Sequence, residues 1–144
     1  MNHFKSTIII KANPEKVFKA LTAEISLWWG HQDKLVQSKG DLFRVSWGEP
    51  WYEFEVVEYN PNTSLKWKCI DANQIITGLE GVQKEWIGSF VNWEIESLDY
   101  GVSKITCVHI GLTAELICYD VCSSTWDRYI QVELKQYLES GIKG

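Results

Sequence analysis

Five stretches between Asp41 and Leu112 place apolar side chains at every second position, and from Cys122 onward the spacing changes to every fourth. A period of two sends alternate side chains to one face of a strand, whereas a period near 3.6 gathers them along one stripe of a helix. The strands predicted on this basis are Asp41–Trp47, Trp51–Tyr59, Ser64–Asp71, Glu85–Leu98 and Val102–Leu112. Parity then selects the inward sets: Phe43, Val45 and Trp47; Tyr52, Phe54 and Val56; Leu65, Trp67 and Cys69; Ile87, Ser89, Val91, Trp93 and Ile95; Ile105, Cys107 and His109. On the opposite parity stand Glu53, Glu55, Lys66, Lys68, Glu94 and Glu96, which suit water. Arg44 falls on the same outward side.

Gly48-Glu-Pro50, Asn60-Pro61-Asn62 and Asp99-Tyr100-Gly101 separate these runs with turn chemistry. Connections that short join antiparallel neighbours, because a parallel pair needs a long crossover. Residues 72–83, with Gly78 and Gly81, read as a loop or an irregular hairpin. Ahead of the meander, Phe4–Lys11 is a β-branched first strand. Asn13 caps a short helix that starts at Pro14, with Glu15 at its positive end and Val17, Phe18 and Leu21 on its apolar side. Ile25–Trp29 reads as a second short helical turn closed by Gly30. At the other end, the segment from Ala114 to Gly141 reads as an amphipathic helix of about six turns, marked by Cys122, Trp126, Ile130, Leu134 and Leu138 and stopped near Gly141. The expected architecture is α+β: a curved antiparallel sheet of six or seven strands gripping a long C-terminal helix, with two short helices after the first strand. Residues 1–144 are expected to form one domain, since a chain of this length supports one core and buries roughly 70% of its unfolded surface.

These elements carry a resemblance. The run from Ile10 through Asn13-Pro14-Glu15 to Thr22, followed by Trp28-Trp29, resembles the opening of the START-like (SRPBCC, helix-grip) superfamily. More narrowly, it is similar to the branch named after activators of the Hsp90 ATPase. Glu85-Trp86 to Glu96, Thr106-Cys-Val-His-Ile-Gly-Leu112, Tyr119–Cys122 with Trp126, and Leu134–Gly141 resemble that branch's later passages in the same order. The resemblance implies a cavity between the sheet and the long helix. It leaves function open, because the superfamily includes lipid and hormone carriers, polyketide cyclases, plant ligand-binding proteins and chaperone-associated domains.

Net charge is −5, and the lysines are scattered rather than gathered with aromatics. Nucleic acid and anionic membrane are therefore not expected partners. No apolar run approaches the roughly 20 residues that span a bilayer, and Met1–Lys5 has no apolar stretch of the signal-peptide kind. A cytoplasmic location is expected. Cys69, Cys107, Cys118 and Cys122 then read as reduced, structural thiols. Cys118 and Cys122 stand one helical turn apart and would hold a metal only with a further ligand, for which His109 is the one candidate. His3, His31 and His109 lack ligand spacing, so neither a metal nor a cofactor is expected. Phosphate-binding loops, nucleophile elbows and paired inward carboxylates are all missing from the sequence.

What remains is an unusual supply of aromatics, eight of them tryptophan. Trp47, Trp67, Trp93 and Trp126 project toward the space between sheet and helix, where they either wall a pocket or fill it. Trp28-Trp29-Gly30-His31 is read as a pocket mouth or as helix-end packing. The expected ligand contacts are Tyr52, Phe54, Trp67, Ser89, Trp93, His109, Trp126 and Ile130, with His109 as polar anchor and no catalytic residue assigned. Non-catalytic binding of a small apolar or amphipathic molecule is the leading reading. The alternatives are a chaperone-associated interaction domain and a cyclase- or hydrolase-type enzyme using His109 with Tyr52 or Ser89. Monomer and homodimer are both compatible with the sequence.

Overall fold

A computed structural model describes residues 2–140 of the chain. Strand β1 (Phe4–Ile10) alternates strictly, with Phe4, Ser6, Ile8 and Ile10 inward. Asn13 accepts the Lys16 N–H at 2.8 Å and opens helix α1 (Pro14–Thr22), which buries Val17, Phe18 and Leu21. Where a second helix was expected there is only a three-residue 3₁₀ turn, Ile25–Leu27. Gln32 ties that turn down: its side-chain amide donates to Thr22 O at 2.7 Å, and its carbonyl accepts from Ile25 N at 3.2 Å. Trp28 is held too, donating to Ala20 O at 2.8 Å.

The sheet continues with β2 (His31–Gln32), β3 (Leu42–Ser46), β4 (Trp51–Asn60), β5 (Ser64–Asn73), β6 (Phe90–Asp99) and β7 (Val102–Ile110). The seven strands lie in the order β1-β7-β6-β5-β4-β3-β2, every neighbouring pair antiparallel. Strand β2 is only two residues long, too short to display a period. Register shifts at Glu53/Phe54, Val56/Glu58 and Ser97/Asp99 interrupt the ladders, and such bulges bend a sheet. Arg44 lies outward as parity required, pairing with Glu53 at 3.1 Å and stacking on Trp51.

The structure corrects one strand. β6 begins at Phe90, and residues 85–88 lie in successive turns instead. Gly88 adopts φ +90°, a conformation that L side chains rarely enter. Its N–H bonds Cys69 O, and Ser89 O accepts from Cys69 N, both at 2.8 Å. Parity fails across this glycine. Ile87, expected inward, is exposed, while Trp86 turns into the core.

The C-terminal helix crosses the concave face as α2 (Tyr119–Arg128), a π-helical segment (Tyr129–Leu134) and α3 (Lys135–Ser140). It starts at Tyr119 rather than near Ala114, and the expected stop at Gly141 lies outside the described residues. Cys122, Trp126, Ile130, Leu134 and Leu138 are all buried. In a 3.6-residue helix each i+4 step overshoots a full turn by about 40°. The wider π turn takes back part of that overshoot and keeps the stripe facing the sheet. Both ends of the helix are tethered. Glu85 accepts from Ile117 N and Cys118 N at 2.8 and 3.0 Å, while Tyr137 donates to Glu24 at 2.8 Å and Lys16 Nζ to Leu138 O at 3.1 Å. Among the described residues, no helix is long and apolar enough to cross a membrane, and no cluster of three or more His, Cys, Asp or Glu side chains could hold a metal ion.

Candidate ligand-binding site

The space between sheet and helix is divided. In its middle it is filled: Phe54, Trp67, Trp93 and Ile130 have no exposed surface. Trp67 and Trp93 meet edge to face at 5.6 Å, and Phe43 meets Trp67 in the same way at 5.1 Å. Four of the expected ligand contacts are thus packing residues. Their indole N–H groups (Trp67 and Trp93) are buried without a partner among the described residues.

Toward the start of α2 the aromatic layer opens into a pocket of about 300 Å³. Trp29, Trp47, Tyr52, Trp86 and Trp126 form its walls, with Pro50, Gln74, Ile75, Ile76, Val121, Cys122, Thr125 and Tyr129 completing the lining. Several rings lie face to face: Tyr52 on Trp86 at 4.0 Å, Trp29 on Trp126 at 4.8 Å, and Trp86 on Trp126 at 6.0 Å. Among the described residues, no ionisable Asp, Glu, Lys, Arg or His side chain reaches the lining. Of the expected contacts, Tyr52 and Trp126 face this pocket.

The structure brings Ser89 and His109 together, but beneath the wall rather than in it. His109 is fully buried under Trp86, the two rings edge to face at 4.4 Å. Its Nδ1 accepts the Trp126 indole N–H at 3.0 Å, so the proton of the neutral ring sits on Nε2 and points at Ser89 Oγ, 2.8 Å away. Ser89 in turn donates to Trp86 O at 2.6 Å. Burial, with a smaller contribution from His3, lowers the His109 pKa to about 3. Both nitrogens are committed and the ring is neutral. His109 therefore has no lone pair to offer as a base and no N–H to offer as an anchor; it is a bolt between helix and sheet.

The polar groups in the lining come from elsewhere. Tyr52 donates to Gln74 Oε1 at 2.5 Å, Cys122 Sγ lies 3.2 Å from the same oxygen, and Gln74 Nε2 donates to Val82 O at 2.9 Å. Burial raises the Tyr52 pKa well above its ordinary value, which keeps the phenol a donor. Two wall indoles, Trp47 and Trp86, have buried N–H groups without a hydrogen-bond partner among the described residues. An unmet N–H costs about 1–3 kcal/mol of desolvation, which an accepting oxygen in the pocket would recover.

Trp86 and Gln74 escaped the sequence reading because they lie in turns, where no period applies. Gly88 inside the Glu85–Leu98 run was the available sign that parity breaks there. The Trp28–His31 segment resolves in two directions: Trp29 lines the pocket and His31 is exposed.

No family model matches the chain, and no curated protein matches its sequence. Solved structures do. The Aha1 dimer of Colwellia psychrerythraea superimposes with a TM-score of 0.78 at 22% identity, covering 100% of both chains. DynU16, a putative protein of the dynemicin biosynthetic locus, gives 0.72 at 18% identity over 98% of this chain and 48% of its own. PFC0360w of Plasmodium falciparum, described as an HSP90 activator, gives 0.64 at 17% over 95% and 94%. At such identities the shared property is the fold. The chain has a helix-grip fold, a curved antiparallel sheet around a long C-terminal helix.

Proposed function

We propose that this protein is a non-catalytic binder of a small, neutral molecule with a flat apolar body and at least one hydrogen-bond-accepting oxygen. One observation carries this reading: a pocket of about 300 Å³ with stacked aromatic walls and, among the described residues, no ionisable carboxylate, amine or imidazole in its lining and no partner for two indole N–H groups in those walls. Flat rings slot between stacked indoles, and a carbonyl oxygen satisfies a donor that otherwise stays unmet. The volume lies at the small end for ligand sites, which favours a compact molecule over a long lipid.

Tryptophan fluorescence tests it, since Trp29, Trp86 and Trp126 would all touch the ligand. A panel of neutral aromatic carbonyl compounds is titrated into the wild type and into Val121→Arg, which puts a long charged side chain at a half-exposed lining position. Saturable quenching in the wild type, lost in the variant, is the expected result. A panel without a single saturable response would refute the reading.

A chaperone-associated role is the second reading. Its support is the likeness to PFC0360w together with the exposed Ile75, Ile117 and Val121 near the pocket. An unchanged Hsp90 ATPase rate, with no binding to the chaperone, would end it. The enzyme reading that relied on His109 is left without a free imidazole nitrogen.

A further inference from the structure

The first turn of α2 brings two thiols to the pocket. Cys118 is the residue that caps the helix and Cys122 stands one turn on, with the sulfurs 2.7 Å apart. Cys122 lines the pocket, while Cys118 is fully buried. Cys69 and Cys107 differ, projecting from β5 and β7 into the packed core. Burial pushes Cys69 up to about 12 and Cys107 well above its ordinary value, so both stay inert thiols.

We propose that Cys118 and Cys122 form a redox-active dithiol, which a hydroperoxide entering the apolar pocket oxidises to an intrahelical disulfide. The Cys122 thiolate attacks one peroxide oxygen. The O–O bond breaks, Cys122 becomes a sulfenic acid, and the released alkoxide takes up a proton and leaves as the alcohol. The Cys118 sulfur then attacks that of Cys122: an S–S bond forms, the S–O bond breaks, and hydroxide leaves with the Cys118 proton as water. Two thiols and one hydroperoxide give one disulfide, one alcohol and one water.

The pair is suited to the first step because it ionises as a unit. The hydrogen bond from Cys122 lowers the Cys118 pKa, and the same contact, with burial, raises that of Cys122. The charge of the singly ionised pair rests on Cys118, and it reaches Cys122, the sulfur that faces the pocket, when the proton between them crosses the 2.7 Å contact. The positive end of α2 favours that charge; Glu85, which caps the same end, opposes it.

Geometry allows the second step. The sulfurs must close from 2.7 Å to the bonded distance of about 2.05 Å. Inside a helix, i and i+4 keep their Cβ atoms about 5–6 Å apart, beyond the roughly 3.8 Å that a disulfide prefers. Cys118 lies at the cap, so only the first turn has to tighten. Closure draws Cys122 Sγ away from Gln74 Oε1, now 3.2 Å off, and so reshapes the pocket wall. None of this depends on which molecule the pocket binds.

The test exposes the full, reduced chain to cumene hydroperoxide and, separately, to hydrogen peroxide. Remaining thiols are alkylated under denaturing conditions and the peptides sequenced by tandem mass spectrometry. Cys118 and Cys122 should disappear from alkylation together, their peptide lighter by two hydrogens, and dithiothreitol should restore both. Cys69 and Cys107 should remain alkylatable. In Cys118→Ser, and in Cys118→Ala as a second replacement, oxidation should stop at a Cys122 sulfenic acid that dimedone captures. If Cys118 and Cys122 stay alkylatable at a peroxide excess that oxidises the unfolded chain, or if any other pairing forms first, the proposal is overturned.

Discussion

The Trp126 indole N–H donates to His109 Nδ1 at 3.0 Å, so the long helix is hydrogen-bonded to the sheet through a fully buried imidazole. Ser89 and Trp86 O complete the chain below it. The arrangement needs a neutral ring, because a second ring proton would point straight at the Trp126 N–H. This gives the protein a specific sensitivity to acid. The folded-state pKa of about 3 lies below the ordinary value of 6.5. Between those values the unfolded chain takes a proton that the folded chain refuses. Stability should therefore be unaffected by this group above pH 6.5 and should fall below it, by up to about 1.4 kcal/mol per pH unit. Urea unfolding on either side of pH 6.5 reads the slope. His109→Gln should flatten it; an equal slope in wild type and variant would show that His109 is not the group responsible.

Trp126→Phe keeps an aromatic face and deletes one N–H, leaving His109 Nδ1 unpaired in the core. Trp93→Phe is its control: Trp93 is equally buried, but its N–H has no partner to lose. Both variants share the cost of a smaller ring. Trp126→Phe should be less stable than Trp93→Phe by about 1–3 kcal/mol, the cost of a stranded buried acceptor. Chemical denaturation of the two side by side measures the difference.

Gly30 sits where the chain turns from Trp29 into β2. A Cβ there would lie 2.5 and 2.7 Å from Trp47 ring carbons and 2.9 Å from Val45 Cγ1. Gly30→Ala should cost about 1–3 kcal/mol as an overpacking substitution. Since Trp47 must swing aside, and Trp47 is a pocket wall, ligand affinity should drop along with the melting temperature.

Much of this architecture is legible in the sequence, and the reasons are local. Phe43, Val45, Phe54, Leu65, Trp67, Trp93 and Ile105 are assigned inward by parity alone, and every one is buried. The helical stripe from Cys122 to Leu138 is equally plain, because burial of one helix face demands it. The site was harder to read. Parity says that Trp67 and Trp93 face the helix, but cannot say whether a void lies between them and it; that depends on how closely the rings interlock. Trp86 and Gln74 reach the pocket from turns between β5 and β6, through backbone bonds such as Gly88 N to Cys69 O that no periodicity encodes. His109 looked like an anchor because its partners, Ser89 and Trp126, sit 20 and 17 residues away in the chain.

A pocket that binds a ligand in the cell should carry that ligand through gentle purification. Native mass spectrometry of protein isolated gently from its own cells, followed by denaturing extraction, addresses it most directly. The account predicts a stoichiometric adduct that is released on denaturation as a neutral, mostly apolar, carbonyl-bearing molecule, and that is absent from Val121→Arg protein with an unchanged fold. A clean polypeptide mass for the wild type, still unshifted after incubation with neutral aromatic carbonyl compounds, would contradict it.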